Sequence, residues 1–168
     1  THDLILHIGH YKTGTTALQV FMAQNRGAMA RAGLVYAKTA LFNVKHSALA
    51  FALLHEAGVT DLMYGYKDKT TARAHWQRLF DEVRGLSRRR ALLVSSEEFM
   101  RLGAHPGAVE ILHRIMAEAP DINVRVIAYL RPPQAHLRSW YNQMIKLGHP
   151  VAGFDGAMRG QFEPIHRD

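Results

Sequence analysis

Short apolar runs alternate with longer amphipathic stretches along this chain. Leu4–Ile8 (LILHI), Leu34–Tyr36, Ala91–Val94 and Val124–Leu130 (VRVIAYL) are brief and rich in aliphatic residues. Polar or turn-forming residues bound them, which predicts strands. Between them lie helix-like stretches. Thr15 to about Arg31 reads as one helix closed by Gly33, and Lys45–Glu56 as another stopped by Gly58. From Thr70 to Leu86, Trp76, Leu79, Phe80 and Val83 recur at i, i+3, i+4, i+7, one apolar helix face. Val109, Leu112, Ile115 and Met116 repeat that spacing between Pro106 and Ala119, and Pro120 ends the helix. Pro132 and Pro133 suit the first turn of a last helix running to about Leu147.

No hairpin signal separates the strands. Helices between strands imply parallel crossovers, hence a three-layer α/β fold with a central parallel sheet flanked by helices. Nearly pure apolar strands predict that both sheet faces are covered. Ligands of such folds sit at the carboxyl ends of strands. Gly9–Thr16, Ser95–Glu98 and Arg131–Ser139 leave those ends, and all are rich in polar residues.

Composition narrows the classes. The 168 residues suit one domain, and 48% hydrophobic with 21% charged residues excludes a disordered or fibrous chain. No run approaches the ~20 apolar residues of a membrane span. The opening THDLILHIGH has neither a basic region nor a cleavage site, so no signal peptide is expected. The absence of cysteine excludes disulfides, thiolate metal sites and a cysteine nucleophile, and is compatible with the cytoplasm. Lys and Arg total 21 against 14 Asp and Glu, a net +7. Such a surface attracts polyanions: nucleic acid, nucleotides or acidic sugars.

The first strand end carries the clearest chemistry. Gly9-His-Tyr-Lys-Thr-Gly-Thr-Thr16 has the glycine spacing of a phosphate-binding P-loop, with Thr16 at the Ser/Thr position. Where that motif requires lysine stands Thr15; the lysine is Lys12, inside the loop. Free amides of Tyr11, Lys12, Thr13, Gly14, Thr15 and Thr16 at a helix start can hold an anion, and the threonine hydroxyls add donors. A hydroxyl at position 15 and the lack of an obvious acidic magnesium ligand count against an NTP–Mg²⁺ complex. No HExxH pattern points to a metal site, and none is expected.

The segment LILHIGHYKTGTTALQVFMAQNRGAMARAGLVY resembles the amino-terminal signature of sulfotransferases that use 3′-phosphoadenosine 5′-phosphosulfate (PAPS). The KTGTT loop and the LQ…NR…GLVY continuation carry the resemblance, which is closest to the bacterial branch related to carbohydrate and heparan-type sulfotransferases. At the last strand end, Arg131-Pro-Pro-Gln-Ala-His-Leu-Arg-Ser139 is similar to the family's 3′-phosphate motif. By that resemblance Arg131 and Ser139 grip the 3′-phosphate. An arginine at a strand end can make a bidentate, charge-assisted contact, and Arg138 reads as a solvated neighbour.

The middle strand end supplies a base. SSE after a strand resembles the heparan-type members, where a glutamate here takes the acceptor's proton; the resemblance assigns that role to Glu97, with Glu98 as competitor. His46, in NVKHSALA, is the third candidate, since cytosolic sulfotransferases use histidine, and Lys45 beside it can bind an acidic acceptor. His7, within the first strand, reads as packed or hydrogen-bonded. The resemblance implies in-line transfer of a sulfuryl group from PAPS to a hydroxyl or amine of an acceptor, a carbohydrate first and a lipid-linked or small-molecule alcohol as the alternative, releasing PAP, with Lys12 stabilising the leaving group. Members usually continue further, so a missing carboxyl-terminal portion is expected after FEPIHRD. Two rivals remain: a P-loop kinase or NTPase, and a non-catalytic basic nucleotide- or nucleic-acid-binding module using Arg88–Arg90. That basic run reads better as a solvated turn, and no nucleic acid is expected.

Overall fold

The computed structural model describes residues 1–62, 66–151, 153–157 and 159; FEPIHRD lies outside them. Four strands form one sheet: β1 (His2–His7), β2 (Leu34–Tyr36), β3 (Ala91–Ser95) and β4 (Ile122–Ile127). Helices fill the connections. α1 (Thr15–Gln24) and α2 (Arg26–Arg31) follow β1, and α3 (Ser47–Glu56) and α4 (Ala72–Arg84) follow β2. A 3-10 helix (Glu97–Ala104) and α5 (Pro106–Ala117) follow β3; α6 (Pro133–Lys146) and α7 (Phe154–Ala157) come last.

The sheet order is β2-β3-β1-β4, and every pairing is parallel. The chain is therefore α/β with a central parallel sheet flanked by helices, as the alternating pattern predicts. Period-two alternation splits the strands between two cores. Leu4 and Leu6 of β1 and Leu92 and Val94 of β3 meet Trp76, Leu79, Phe80 and Val83 of α4, the four residues that the helical spacing selects. Ile5 and Leu93 face the other way and join Met22 of α1 and Met29 of α2. Adjacent strands β1 and β3 thus send their onward connections to opposite faces of the sheet. Their diverging ends open a crevice, the ligand position of such folds.

Two expectations are corrected. The stretch from Thr15 to Arg31 is two helices, because Asn25 donates both its backbone N–H (2.9 Å) and its side-chain amide (2.8 Å) to the Phe21 carbonyl. A short polar side chain competing for helix carbonyls ends the first helix there. The last strand is Ile122–Ile127 rather than Val124–Leu130, and it is not covered on both faces: Val126 is 59% exposed and Leu130 80%. β4 is one edge of the sheet and pairs with β1 alone. Beyond β4 the chain still runs beside the first loop, with Tyr129 donating to the Gly9 carbonyl (2.7 Å) and accepting from His10 N–H (3.0 Å). Among the described residues no helix is long and apolar enough to cross a membrane.

Candidate functional site

Gly9 and Gly14 give the loop after β1 its shape. Both have left-handed φ, +105° and +85°. A Cβ on Gly9 would lie 3.2 Å from the Cα and Cβ of Glu97, so glycine lets this loop touch the segment leaving β3. Gly14 is the residue before α1 and offers no side-chain cap. Among the described residues, the backbone N–H groups of Tyr11 through Ala17 donate to no protein acceptor. A simple capped helix start would leave fewer of them idle. Consecutive free amides curling into a helix N-terminus form an anion nest. The Thr13 hydroxyl donates to the His10 carbonyl (2.6 Å), so it braces the loop instead of serving as a free donor. Thr15 is buried and Thr16 exposed.

Gly9→Ala is expected to lower the melting temperature by several degrees. A side chain at positive φ costs roughly 1–2 kcal/mol, about 2–8 °C at this size, and the Glu97 backbone must also shift. Gly14→Ala meets nothing within 4 Å and should cost less. Thermal unfolding of both variants checks the order.

The second wall is a buried polar network at the end of β3. Glu97 and Glu98 open the 3-10 helix, where the Ser96 hydroxyl accepts from Glu98 N–H (3.2 Å). Glu97 receives the Lys45 ammonium on one carboxylate oxygen and the Gln19 amide (3.0 Å) on the other. Gln19 also donates to the Ser95 hydroxyl (3.0 Å), which is 2.7 Å from Nδ1 of His7. Burial pushes the Glu97 carboxyl up, but the hydrogen bonds from Lys45 and Gln19 outweigh it and hold the group below the usual carboxylate range. Glu98 goes the other way. Its burial and the neighbouring Glu97 charge raise it, although the Tyr11 hydroxyl donates to it at 2.8 Å. Two adjacent carboxyls are thus separated in acidity by their partners, and Glu97 is the one kept ionised.

His46 is fully buried and occupied at both ring nitrogens. Nδ1 accepts from Ser95 N–H (3.1 Å), and Nε2 donates to the Ala37 carbonyl (3.1 Å). Burial lowers its pKa. This imidazole ties β3 to the segment after β2 and has no free lone pair to offer an acceptor hydroxyl. Its neighbour Lys45 reaches the site instead.

The third strand end closes over the loop. Arg131 is exposed and donates to the Lys12 carbonyl at 3.0 Å; Lys12 Nζ donates to Gln143 of α6 at 2.9 Å. Among the described residues neither cation is paired with a carboxylate. Ser139 lies two turns into α6, half-buried, and no hydrogen bond joins it to Arg131 among the described residues. Arg138 is exposed. A cavity of about 200 Å³ beside the loop is lined by His10, Leu130, Arg131, Pro133, His136 and Leu137.

The structure therefore sets the loop Tyr11–Thr16 between two strand ends: Gly9 and Tyr11 adjoin Glu97 and Glu98 on one side, and Arg131 reaches the Lys12 carbonyl on the other. The cavity is lined by Arg131 but not by Lys45 or Glu97, and His46 has a scaffolding position. Sequence reasoning passes over Gln19 and Gln143. Gln19 carries a faint signal: it continues the buried stripe Thr15, Gln19, Met22 of α1, where an apolar residue is expected. Gln143 carries none, since its contact with Lys12 spans 131 residues. No family model, no characterised protein and no solved structure matches this chain.

Proposed function

We propose that this chain is a PAPS-dependent sulfotransferase. The observation that carries the reading is the run of amides from Tyr11 to Ala17 without a partner among the described residues, in a loop that packs at Gly9 against the ionised buried carboxylate Glu97. The amides hold the 5′-phosphate end of PAPS. Uncompensated Lys12 and Arg131 meet its remaining negative charge, with Ser139 assisting at the 3′-phosphate. The KTGTT loop and the Arg131…Ser139 spacing support the same assignment. In the transfer, the acceptor oxygen bonds to sulfur while the bond from sulfur to the phosphate oxygen breaks. That electron pair leaves with PAP, and the acceptor proton passes to Glu97. Positioning and electrostatic stabilisation supply the acceleration.

The test compares ligands by thermal unfolding. PAP at about 100 times its Kd stabilises by about 2.7 kcal/mol, a rise of about 5–10 °C at this chain length. ATP–Mg²⁺ should give a much smaller rise, and Arg131→Ala should shrink the PAP response. An equal response to both nucleotides overturns the reading in favour of a P-loop kinase or NTPase. Salt-sensitive nucleic-acid binding with no PAP response overturns it in favour of a binding module.

A further inference from the structure

Helix α1 reaches the proposed base as well as the loop. Thr15 and Thr16 open it with amides that have no partner among the described residues, and Gln19 lies one turn further in, about 6 Å along the axis. Gln19 is fully buried. Its amide nitrogen donates to two acceptors at once, Oε2 of Glu97 and the Ser95 hydroxyl, each at 3.0 Å. An ionised carboxylate only accepts, so the nitrogen and not the oxygen of the amide faces Glu97. The amide oxygen is left buried with no hydrogen-bond partner among the described residues. An unpaired buried carbonyl costs stability, which an apolar side chain of similar length would avoid. What Gln19 contributes is therefore the direction of its two N–H bonds, not its packing.

The two donors on Glu97 differ in kind. Lys45 is a point charge on a flexible four-carbon stem, and its side chain is 23% exposed. Gln19 is planar, rooted in a helix and pinned at its second hydrogen by Ser95, whose hydroxyl is 2.7 Å from Nδ1 of His7. Lys45 supports the charge of the carboxylate, and Gln19 fixes where Oε2 lies. The other titratable groups that sense Glu97 are His7 on β1, Tyr36 on β2, Tyr11 in the loop and Glu98 beside it.

Building on the sulfotransferase reading, in which Glu97 is the base, we propose that Gln19 is a positioning residue. Through one turn of α1 it holds Oε2 of Glu97 in a fixed place relative to the amide loop, so that the base and the sulfuryl group are aligned for transfer. Being fully buried, Gln19 touches neither nucleotide nor acceptor and acts through Glu97 alone.

The experiment uses the full chain as wild type, Gln19→Met, Ser95→Ala and Glu97→Gln, with Gln19→Met also made in the Glu97→Gln background. The Glu97 carboxyl is titrated by NMR, its signal assigned by its loss in Glu97→Gln. The PAP-induced melting shift is measured alongside single-turnover transfer from labelled PAPS, with water as the probe acceptor. In Gln19→Met the Glu97 carboxyl is expected to titrate at higher pH than in wild type, because one of the donors that hold it down is gone. Transfer falls about 10- to 10²-fold, the cost of a misplaced reacting group, and the PAP shift is unchanged. In the Glu97→Gln background the same substitution lowers the rate no further. Ser95→Ala releases the second anchor of the amide and gives a smaller loss in the same direction, which decides the matter if Gln19→Met does not fold. An unmoved Glu97 titration overturns the positioning role. So does a lost PAP shift, or a further loss of rate in the Glu97→Gln background, because the effect then does not pass through Glu97. Each of these leaves the sulfotransferase reading intact, whereas a wild type with no PAP shift and no transfer overturns both.

Discussion

Replacing Glu97 with Gln is expected to lower kcat by about 10²- to 10⁴-fold, the span of a lost general base, while the PAP-induced melting shift stays intact. The change is nearly isosteric. Gln19 can still donate to the side-chain oxygen at position 97, and the hydroxyl network through Ser95 to His7 is not touched. What disappears is the capacity to take a proton, together with the Lys45 ion pair, because a carboxamide has one acceptor oxygen for the two donors that Glu97 receives on separate oxygens. Glu98→Gln should cost far less, because that carboxyl is raised by burial, faces the Tyr11 hydroxyl and sits at the other side of the helix start. The pH dependence carries a second signature. Glu97 is held below the usual carboxylate range, so the base stays ionised, and the acid limb of kcat/KM falls below that range too. The same shift stabilises the fold above the carboxylate's unfolded pKa, and this stability is lost as pH falls through the lowered folded value. Lys45→Met removes the first-ranking force opposing burial, so the acid limb should move to higher pH. A Glu97→Gln enzyme with an unaltered rate places the base on another residue.

Lys12→Ala is expected to reduce single-turnover sulfuryl transfer by about 10²- to 10³-fold, the usual loss for one electrostatic donor at developing charge. Lys12 holds a left-handed backbone, φ 61°, between the two glycines of the loop. Alanine carries the same Cβ, so the backbone strain is unchanged and the amide nest should persist. The lost group is an ammonium whose partner among the described residues is the neutral Gln143 amide. Its charge is therefore uncompensated before the substrate arrives. Product lacks the sulfuryl group, so PAP affinity should fall less than the rate. Equal losses in rate and PAP affinity would make Lys12 a ground-state binding residue and remove it from leaving-group stabilisation.

The alternation of strand and helix is readable in the chain because burial periodicity is local. Trp76, Leu79, Phe80 and Val83 share one face whatever lies opposite, and all are buried. Helix caps also follow from nearby residues, as with Thr71, whose hydroxyl accepts from Ala74 N–H at the start of α4. The loop after β1 belongs to the same class, since two glycines between a strand and a helix dictate its geometry. Reading failed where neighbours in space decide. VRVIAYL is as apolar as a central strand, yet it is the sheet edge, and strand order is set by crossovers that hydrophobicity does not encode. His46 and Lys45 are adjacent in the chain, and only packing decides that the imidazole turns inward to Ser95 and Ala37 while the ammonium reaches Glu97.

By itself the sequence determined the fold class, the glycine loop after β1 and the three strand ends where polar residues gather. Each of these depends on interactions a few residues long. Tertiary structure decided the partners of Glu97, Glu98 and His46 and the direction in which each group's acidity moves. Acidity and orientation depend on partners far apart in the chain, such as Lys45 and Gln19 on Glu97 and Tyr11 on Glu98. Those charges and hydrogen bonds act over a few ångströms, and only the folded chain brings them that close.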